Sequence, residues 1–180
     1  KDLETHYKNG KKDGLETDWM DSGEKISETH YKNGELDGMS TSWHFELGVP
    51  FAGFSRKRET QFKNGEKHGF YKEWYKSCKK KVKGKYKYED QYIKRLEFYI
   101  KKGKKEGVEK VWGICGKKES LKHYKNNVLD GVVTEWYESG RKKLLKHFKN
   151  GIENGVRKQW DEDGKLIYEG NFVDGAEEIK

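Results

Sequence analysis

All six tryptophans of this 180-residue chain stand in one register. Trp19, Trp43, Trp74, Trp112, Trp136 and Trp160 each lie five residues after a glycine: Gly14, Gly38, Gly69, Gly107, Gly131 and Gly155. Each of those glycines lies four residues after a short word. The word is Tyr-Lys-Asn-Gly at Tyr7–Gly10 and Tyr31–Gly34, and Phe-Lys-Asn-Gly at Phe62–Gly65 and Phe148–Gly151. Ile100–Gly103 and Tyr124–Asn127 are degenerate copies of it. A fixed internal period of this size is the signature of a repeat architecture, in which each unit buries its apolar side only against its neighbours.

The copies are 24 residues apart from Tyr7 to Tyr31, and again from Ile100 to Tyr124, to Phe148 and to Phe172. Between Tyr31 and Phe62 seven residues are extra, and between Phe62 and Ile100 fourteen are extra. The chain is therefore one repeat domain, 1–180, with copies near 1–23, 24–48, 55–78, 93–116, 117–140 and 141–164 and a partial copy at 165–180. Insertions fall at about 44–61 and 75–99. Within a copy the residues alternate: Leu15, Thr17 and Trp19 share one face, and Glu16 and Asp18 the other. That period of two marks a strand, and the recurring glycines with Thr, Val, Trp and Tyr disfavour a helix. Asn-Gly and Asp-Gly pairs supply the positive φ of tight hairpin turns. Asp21-Ser22-Gly23, Glu138-Ser139-Gly140 and Glu162-Asp163-Gly164 turn the chain into the next copy. The expected fold is all-β: an elongated, single-layer antiparallel β-meander of repeated hairpins.

Composition agrees with a thin core. Hydrophobic residues are 32% of the chain and charged residues 39%. At 14% aromatic the chain is too rich in rings for a solvated coil. The longest uncharged stretch, Leu47–Ser55, is far short of the roughly 20 residues of a helical membrane span. The net charge is +8, but only Arg56, Arg58, Arg95, Arg141 and Arg157 among the 39 basic residues are arginines. Arginine makes the forked contacts to phosphates and base edges, so the lysine excess reads as a solubilising surface rather than a nucleic-acid reader.

The Tyr31-Lys-Asn-Gly34, Gly38, Trp43 unit and the Tyr124, Gly131, Trp136-Tyr137 unit resemble the MORN repeat. The form is the bacterial variant Tyr-x-x-Gly-x-x-x-Gly-x-x-x-x-Trp-Tyr, which includes the YwqK-type antitoxin family. The resemblance covers nearly the whole chain. It implies an elongated, twisted meander and an antitoxin-like or immunity-like role with a protein partner. The wider MORN name implies peripheral binding to anionic membrane lipids as the alternative.

The expected structural core of the repeat is Trp19, Trp43, Trp74, Trp112, Trp136 and Trp160 with Tyr7, Tyr31, Phe62, Tyr124 and Phe148. A row Tyr7–Trp19–Tyr31–Trp43 is expected to bury one face of the sheet. The turn glycines are Gly10, Gly14, Gly34, Gly38, Gly65, Gly69, Gly107, Gly131, Gly151 and Gly155.

Chemistry-bearing residues fit structural roles. His6, His30, His123 and His147 each precede a repeat aromatic. Members one hairpin apart are about 10 Å from each other, too far to share a zinc ion whose ligands sit at about 2 Å. Asp13, Asp37 and Asp130 precede glycines and read as hairpin residues without the spacing of a calcium loop. Cys78 and Cys115 form no Cys-x-x-Cys motif. The fourteen-residue insertion is expected to add its own hairpin to the sheet, which separates these cysteines and leaves two free thiols. Lys79, Lys80, Lys81, Lys83, Lys85 and Lys87, interleaved with tyrosines, are the candidate contact for an anionic surface, against a simpler reading as an edge guarded by lysines. No catalytic residues, metal site or cofactor are expected. A protein partner comes first, anionic lipid second, and neither nucleic acid nor a small-molecule substrate is expected. The chain begins almost directly in a strand, so it is expected to extend further toward its N-terminus. A cytoplasmic location is favoured, with export to the cell surface left open.

Overall fold

The computed structural model of the chain describes residues 2–45, 54–76, 79–82, 85–88, 92–113 and 116–178. Asn-Gly turns and alternating strands dominate it, as the spacing requires. The strands are β1 (Leu3–Lys8), β2 (Lys11–Trp19), β3 (Lys25–Lys32), β4 (Glu35–Phe45), β5 (Phe54–Lys63), β6 (Glu66–Lys76), β7 (Lys79–Val82), β8 (Lys85–Tyr88), β9 (Tyr92–Lys101), β10 (Lys104–Trp112), β11 (Lys118–Lys125), β12 (Val128–Trp136), β13 (Lys142–Lys149), β14 (Ile152–Glu153), β15 (Gly155–Trp160), β16 (Leu166–Val173) and β17 (Ala176–Glu177). Fifteen of them form one open antiparallel sheet in chain order, and β7 and β8 pair only with each other. The described residues contain no helix. The fold is the all-β meander that the repeat predicts.

The second insertion departs from expectation. Its hairpin β7–β8 is a separate two-stranded sheet, and β9 lies directly beside β6. The extra residues leave the ladder after β6 and rejoin it at the next copy, so the main sheet keeps its period. Cys78 and Cys115 lie outside the described residues, and so does the expectation about their thiols. The first insertion lengthens β4 and β5, whose pairing runs on past Trp43↔Lys57 to Phe45↔Phe54.

The chain divides into two compact units, residues 1–94 with 100–103, and residues 95–99 with 104–180. In the first unit, Asn9 and Gly10 at the tip of β1–β2 have φ of 50° and 74°. Both central residues are left-handed, the conformation of a two-residue turn matched to strand twist. Past the turn, Tyr7 pairs with Lys12 but Thr5 pairs with Glu16, so Asp13, Gly14 and Leu15 stand against His6 alone. This is a bulge, and Gly14 bears it at φ 116°. A Cβ on Gly14 would lie 3.1 Å from the His6 Cβ. The second glycine of each pair is thus a bulge residue inside a strand, not a turn residue. Asp-Gly is a generic turn signal, but here the aspartate keeps an ordinary φ and only the glycine is left-handed.

Each bulge is braced by the residue opposite it. His6 donates from Nδ1 to the Leu15 carbonyl at 2.7 Å, and His30 to the Met39 carbonyl at 2.9 Å. Where Gln61 replaces the histidine, its Oε1 accepts the Phe70 N–H at 2.8 Å. In the second unit His123 and His147 donate to the carbonyls of Val132 and Val156, both at 2.7 Å. The histidines before the repeat aromatic therefore close the bulges.

Neighbouring hairpins are tied at their tips. In the first unit the N–H groups of Gly34, Gly65 and Gly103 donate to the carbonyls of Lys12, Leu36 and Lys67 at 2.7, 2.9 and 3.1 Å. The aspartates add a second tie: Asp13 accepts the Asn33 N–H at 3.1 Å and Asp37 the Asn64 N–H at 3.2 Å. The second unit repeats this, with Glu106 accepting from Asn126 and Asp130 from Asn150, both at 3.0 Å. Asn127, in place of the turn glycine, adopts φ 70° and accepts the Lys105 N–H on Oδ1 at 2.6 Å.

The tyrosines and tryptophans do not alternate on one face. Tyr31 donates to Glu16 at 3.3 Å, and Glu16 lies on the side of β2 opposite Thr17 and Trp19. The reason is parity. A two-residue turn pairs Tyr7 with Lys12, so Tyr7 shares its face with the even-numbered residues of β2, and Trp19 is odd. On the tyrosine face, Lys12 lies 4.8 Å from the Tyr31 ring and also pairs with Glu16. Burial alone pushes the Glu16 carboxyl up, but hydrogen bonds from Lys12 and Thr5 leave it below its ordinary value. In the second unit Lys105 pairs with Glu109 between the rings of Phe98 and Tyr124, and Arg157 lies 4.0 Å from the Phe172 ring and pairs with Glu153. Ile100, Val133 and Phe172 are the buried apolar residues among those described. Thr17, Thr41, Thr60 and Thr134 are also buried.

Two predictions follow from these ties. Asp130→Ala should cost about 1 kcal/mol in urea denaturation, whereas Asp130→Asn, which keeps an acceptor oxygen, should cost under about 0.5 kcal/mol. The second concerns acid. The hydrogen bond from Arg157 holds the Glu153 carboxyl below its ordinary value of 4.5. A lowered folded pKa gives stability that is present above the unfolded pKa and lost as pH falls through the folded one. The stability gap between the native protein and Glu153→Gln should therefore be constant at neutral pH. It should begin to shrink near pH 4.5 and be lost below the folded value.

Candidate functional site: an aromatic groove in the second unit

The turn after each tryptophan builds the other end of the hairpins. At the end of β12, the Tyr137 N–H donates to the Arg141 carbonyl at 2.9 Å and the Gly140 N–H to the Tyr137 carbonyl at 2.8 Å. Gly140 takes φ 87° to allow this. Adjacent turns are laced together by side chains: Lys117 Nζ donates to the Glu138 carbonyl, and Arg141 to the Glu162 carbonyl, both at 2.7 Å.

Between these turns lies a groove of about 580 Å³. Trp136 and Tyr137 form its aromatic wall, with Gly113 and Ser139 beside them. The Tyr137 hydroxyl donates to the Trp160 carbonyl at 2.8 Å, which fixes the ring. Lys118 lies 5.9 Å from the Trp136 ring, and Lys143 lies 5.7 Å from the Tyr137 ring. The rim is charge-balanced: Lys117, Lys118 and Lys143 stand with Glu119, Glu138 and Glu162. The groove presents rings and paired charges to a ligand.

Of the expected core, turn-glycine and anionic-contact residues, the groove contains Trp136 alone among those described; Glu138, Ser139 and Glu162 were expected only as inter-repeat turn residues. All six tryptophans are half-buried, as are Tyr31, Phe62, Tyr124 and Phe148, while Tyr7 is exposed. Lys79, Lys80, Lys81, Lys85 and Lys87 lie in the strands β7 and β8, with side chains outside the described residues, and Lys83 lies outside them altogether. Among the described residues, no three His, Cys, Asp or Glu side chains gather as a metal-ligand set. Tyr137 was quoted from the sequence as part of the repeat motif but not as a site residue, although an aromatic pair directly before a turn was a visible signal.

No protein-family model matches the chain, and no curated protein is significantly similar to it.

Tyr137→Phe removes the donor to the Trp160 carbonyl and should cost about 1 kcal/mol of stability, read by thermal or urea unfolding. Trp136→Ala should cost about 2 kcal/mol, less than the roughly 3–5 kcal/mol of a fully buried aromatic, because its ring is half-buried.

Proposed function

We propose that this chain is a non-enzymatic repeat module that binds another protein, with the Trp136–Tyr137 groove as the docking site. The carrying observation is the groove itself. It joins a ring wall to a rim of both charge signs. Tyr and Trp are the residues that anchor protein interfaces, because they offer large rigid surfaces with a polar tip. Three carboxylates on the rim oppose a polyanion and suit a polypeptide segment of mixed charge. The likeness of the repeat word to the bacterial MORN variant extends the proposal to a toxin-neutralising or immunity role. The lipid alternative rests on Lys79–Lys87, whose side chains lie outside the described residues.

A photo-crosslinking residue at Ser139, on the groove, should give a polypeptide adduct in native cells. The same residue at Lys165, an exposed turn position, should not. The purified partner should then bind at least tenfold more weakly to Tyr137→Ala and Lys143→Glu. Adducts at both positions alike, or none with protein, would sink the proposal.

A further inference from the structure

A second surface lies at the hairpin tips of the second unit, independent of the groove. The residue directly after each tip turn is charged in the earlier copies: Lys11, Glu35 and Glu66 in the first unit, and Lys104 in the second. In the copies that follow it is Val128, Ile152 and Ala176. The cross-strand pairs at the tips of the first unit include Lys32↔Glu35 and Lys63↔Glu66. In the second unit the same lysine stands opposite an apolar residue, as Lys125↔Val128 and Lys149↔Ile152, and the last tip pairs Val173 with Ala176. The lysine recurs along the row. What changes is its neighbour, where hydrocarbon replaces a charged group.

The apolar side chains follow one another from tip to tip. A Cβ on Gly151 would lie 3.1 Å from Val128 Cγ1, and one on Gly175 would lie 3.4 Å from Ile152 Cγ2. Each side chain therefore leans over the turn of the next hairpin, where glycine leaves it room. Val128, Ile152 and Val173 are nevertheless among the exposed large apolar residues. Lys125, Lys149 and Ala176 are exposed as well. Residues directly opposite each other in a ladder share a face, so this is an apolar ridge with ammonium groups along one flank.

The spacing of the ridge selects what can lie on it. Strands about 4.8 Å apart put equivalent residues of successive hairpins about 10 Å apart. An extended strand presents the same face at intervals of about 6.7 Å, and its next step of about 13 Å also misses that distance. An α-helix rises about 1.5 Å per residue, so positions seven apart return to one face after about 10.5 Å. We propose that the ridge docks an amphipathic helix of a partner protein, laid across the tips, with an apolar residue at every seventh position and an acidic residue beside each. The apolar residues seat between Val128, Ile152 and Ala176, and the acidic ones pair with Lys125 and Lys149, which stand at the same interval. An anionic lipid plane fits less well, because Asp130, bonded to the Asn150 N–H, and Asp174 of the last turn put carboxylates among these tips.

The test follows backbone amide resonances of the intact chain, titrated with a stapled, monomeric helix that carries leucine at every seventh position and glutamate beside each leucine. The amides of Lys125, Val128, Lys149 and Ile152 should shift saturably, while those of Lys32, Glu35, Lys63 and Glu66 stay in place. The same helix with its leucines moved to every fifth position, or with lysine for glutamate, should bind at least tenfold more weakly. Val128→Glu and Ile152→Glu should each weaken the first helix at least tenfold and keep the native melting temperature, as exposed positions allow. The double variant Val128→Ser with Ile152→Ser should weaken it too, with no charge introduced. The proposal is overturned if the first helix does not bind, if the respaced helix binds as well, if the serine variant binds as the native chain does, or if these amides respond only to phosphatidylserine vesicles.

Discussion

The turn of each hairpin is held by the hairpin before it, and the rest of the architecture depends on that handover. A two-residue turn leaves its central N–H groups pointing outward, away from its own strands. In each unit the glycine, or the asparagine in its place, gives its N–H to a carbonyl of the preceding return strand. At four of the junctions a carboxylate takes the other N–H. Register follows from this, because a slip of one residue would remove both bonds and also turn every side chain to the opposite face. A sheet with few buried apolar side chains therefore draws on polar ties for the precision that a thick core would otherwise provide.

The bulge is what brings the acceptors to the tip. Three residues against one compress the return strand beside the turn, so that Lys12 and Glu16, four apart in sequence, meet as an ion pair. The same step requires a glycine, since the backbone is left-handed and the opposite side chain stands at van der Waals distance. The opposing histidine or glutamine then satisfies a backbone group that the irregular ladder leaves over. Glycine, bulge and brace form one device. That is why the three recur together in most copies; in the copy where Tyr99 takes the histidine's place in the sequence, nothing meets the Cβ position of Gly107.

Much of this was legible in the sequence, and the remainder failed for physical reasons. The repeat period and the Asn-Gly turns specify strands, hairpins and chain-order pairing, because both signals are local. The face assignment of Tyr7 and Trp19 was also available, from the parity of a two-residue turn, but counting by repeat position concealed it. The role of Asp13 or Asp130 was not available, since its partner lies 20 residues away and is identified only once the hairpins stack. The fourteen-residue insertion alternates like a strand pair and forms one, yet alternation says nothing about which edge a hairpin joins. The groove escaped notice because its walls come from three successive turns, each of which reads alone as ordinary turn chemistry.

A repeat that satisfies its own donors has little left to offer a ligand. Each regular junction consumes its turn N–H groups, its carboxylate and its histidine internally. The groove that stays open lies at the opposite ends of the hairpins, among the turns after the tryptophans. Tyr137 extends the tryptophan strand by one aromatic and anchors it on the Trp160 carbonyl, which leaves Trp136 and its neighbouring turn open as a wall. Each copy is held in place by its neighbours, so the turns that form this wall are rigidly spaced.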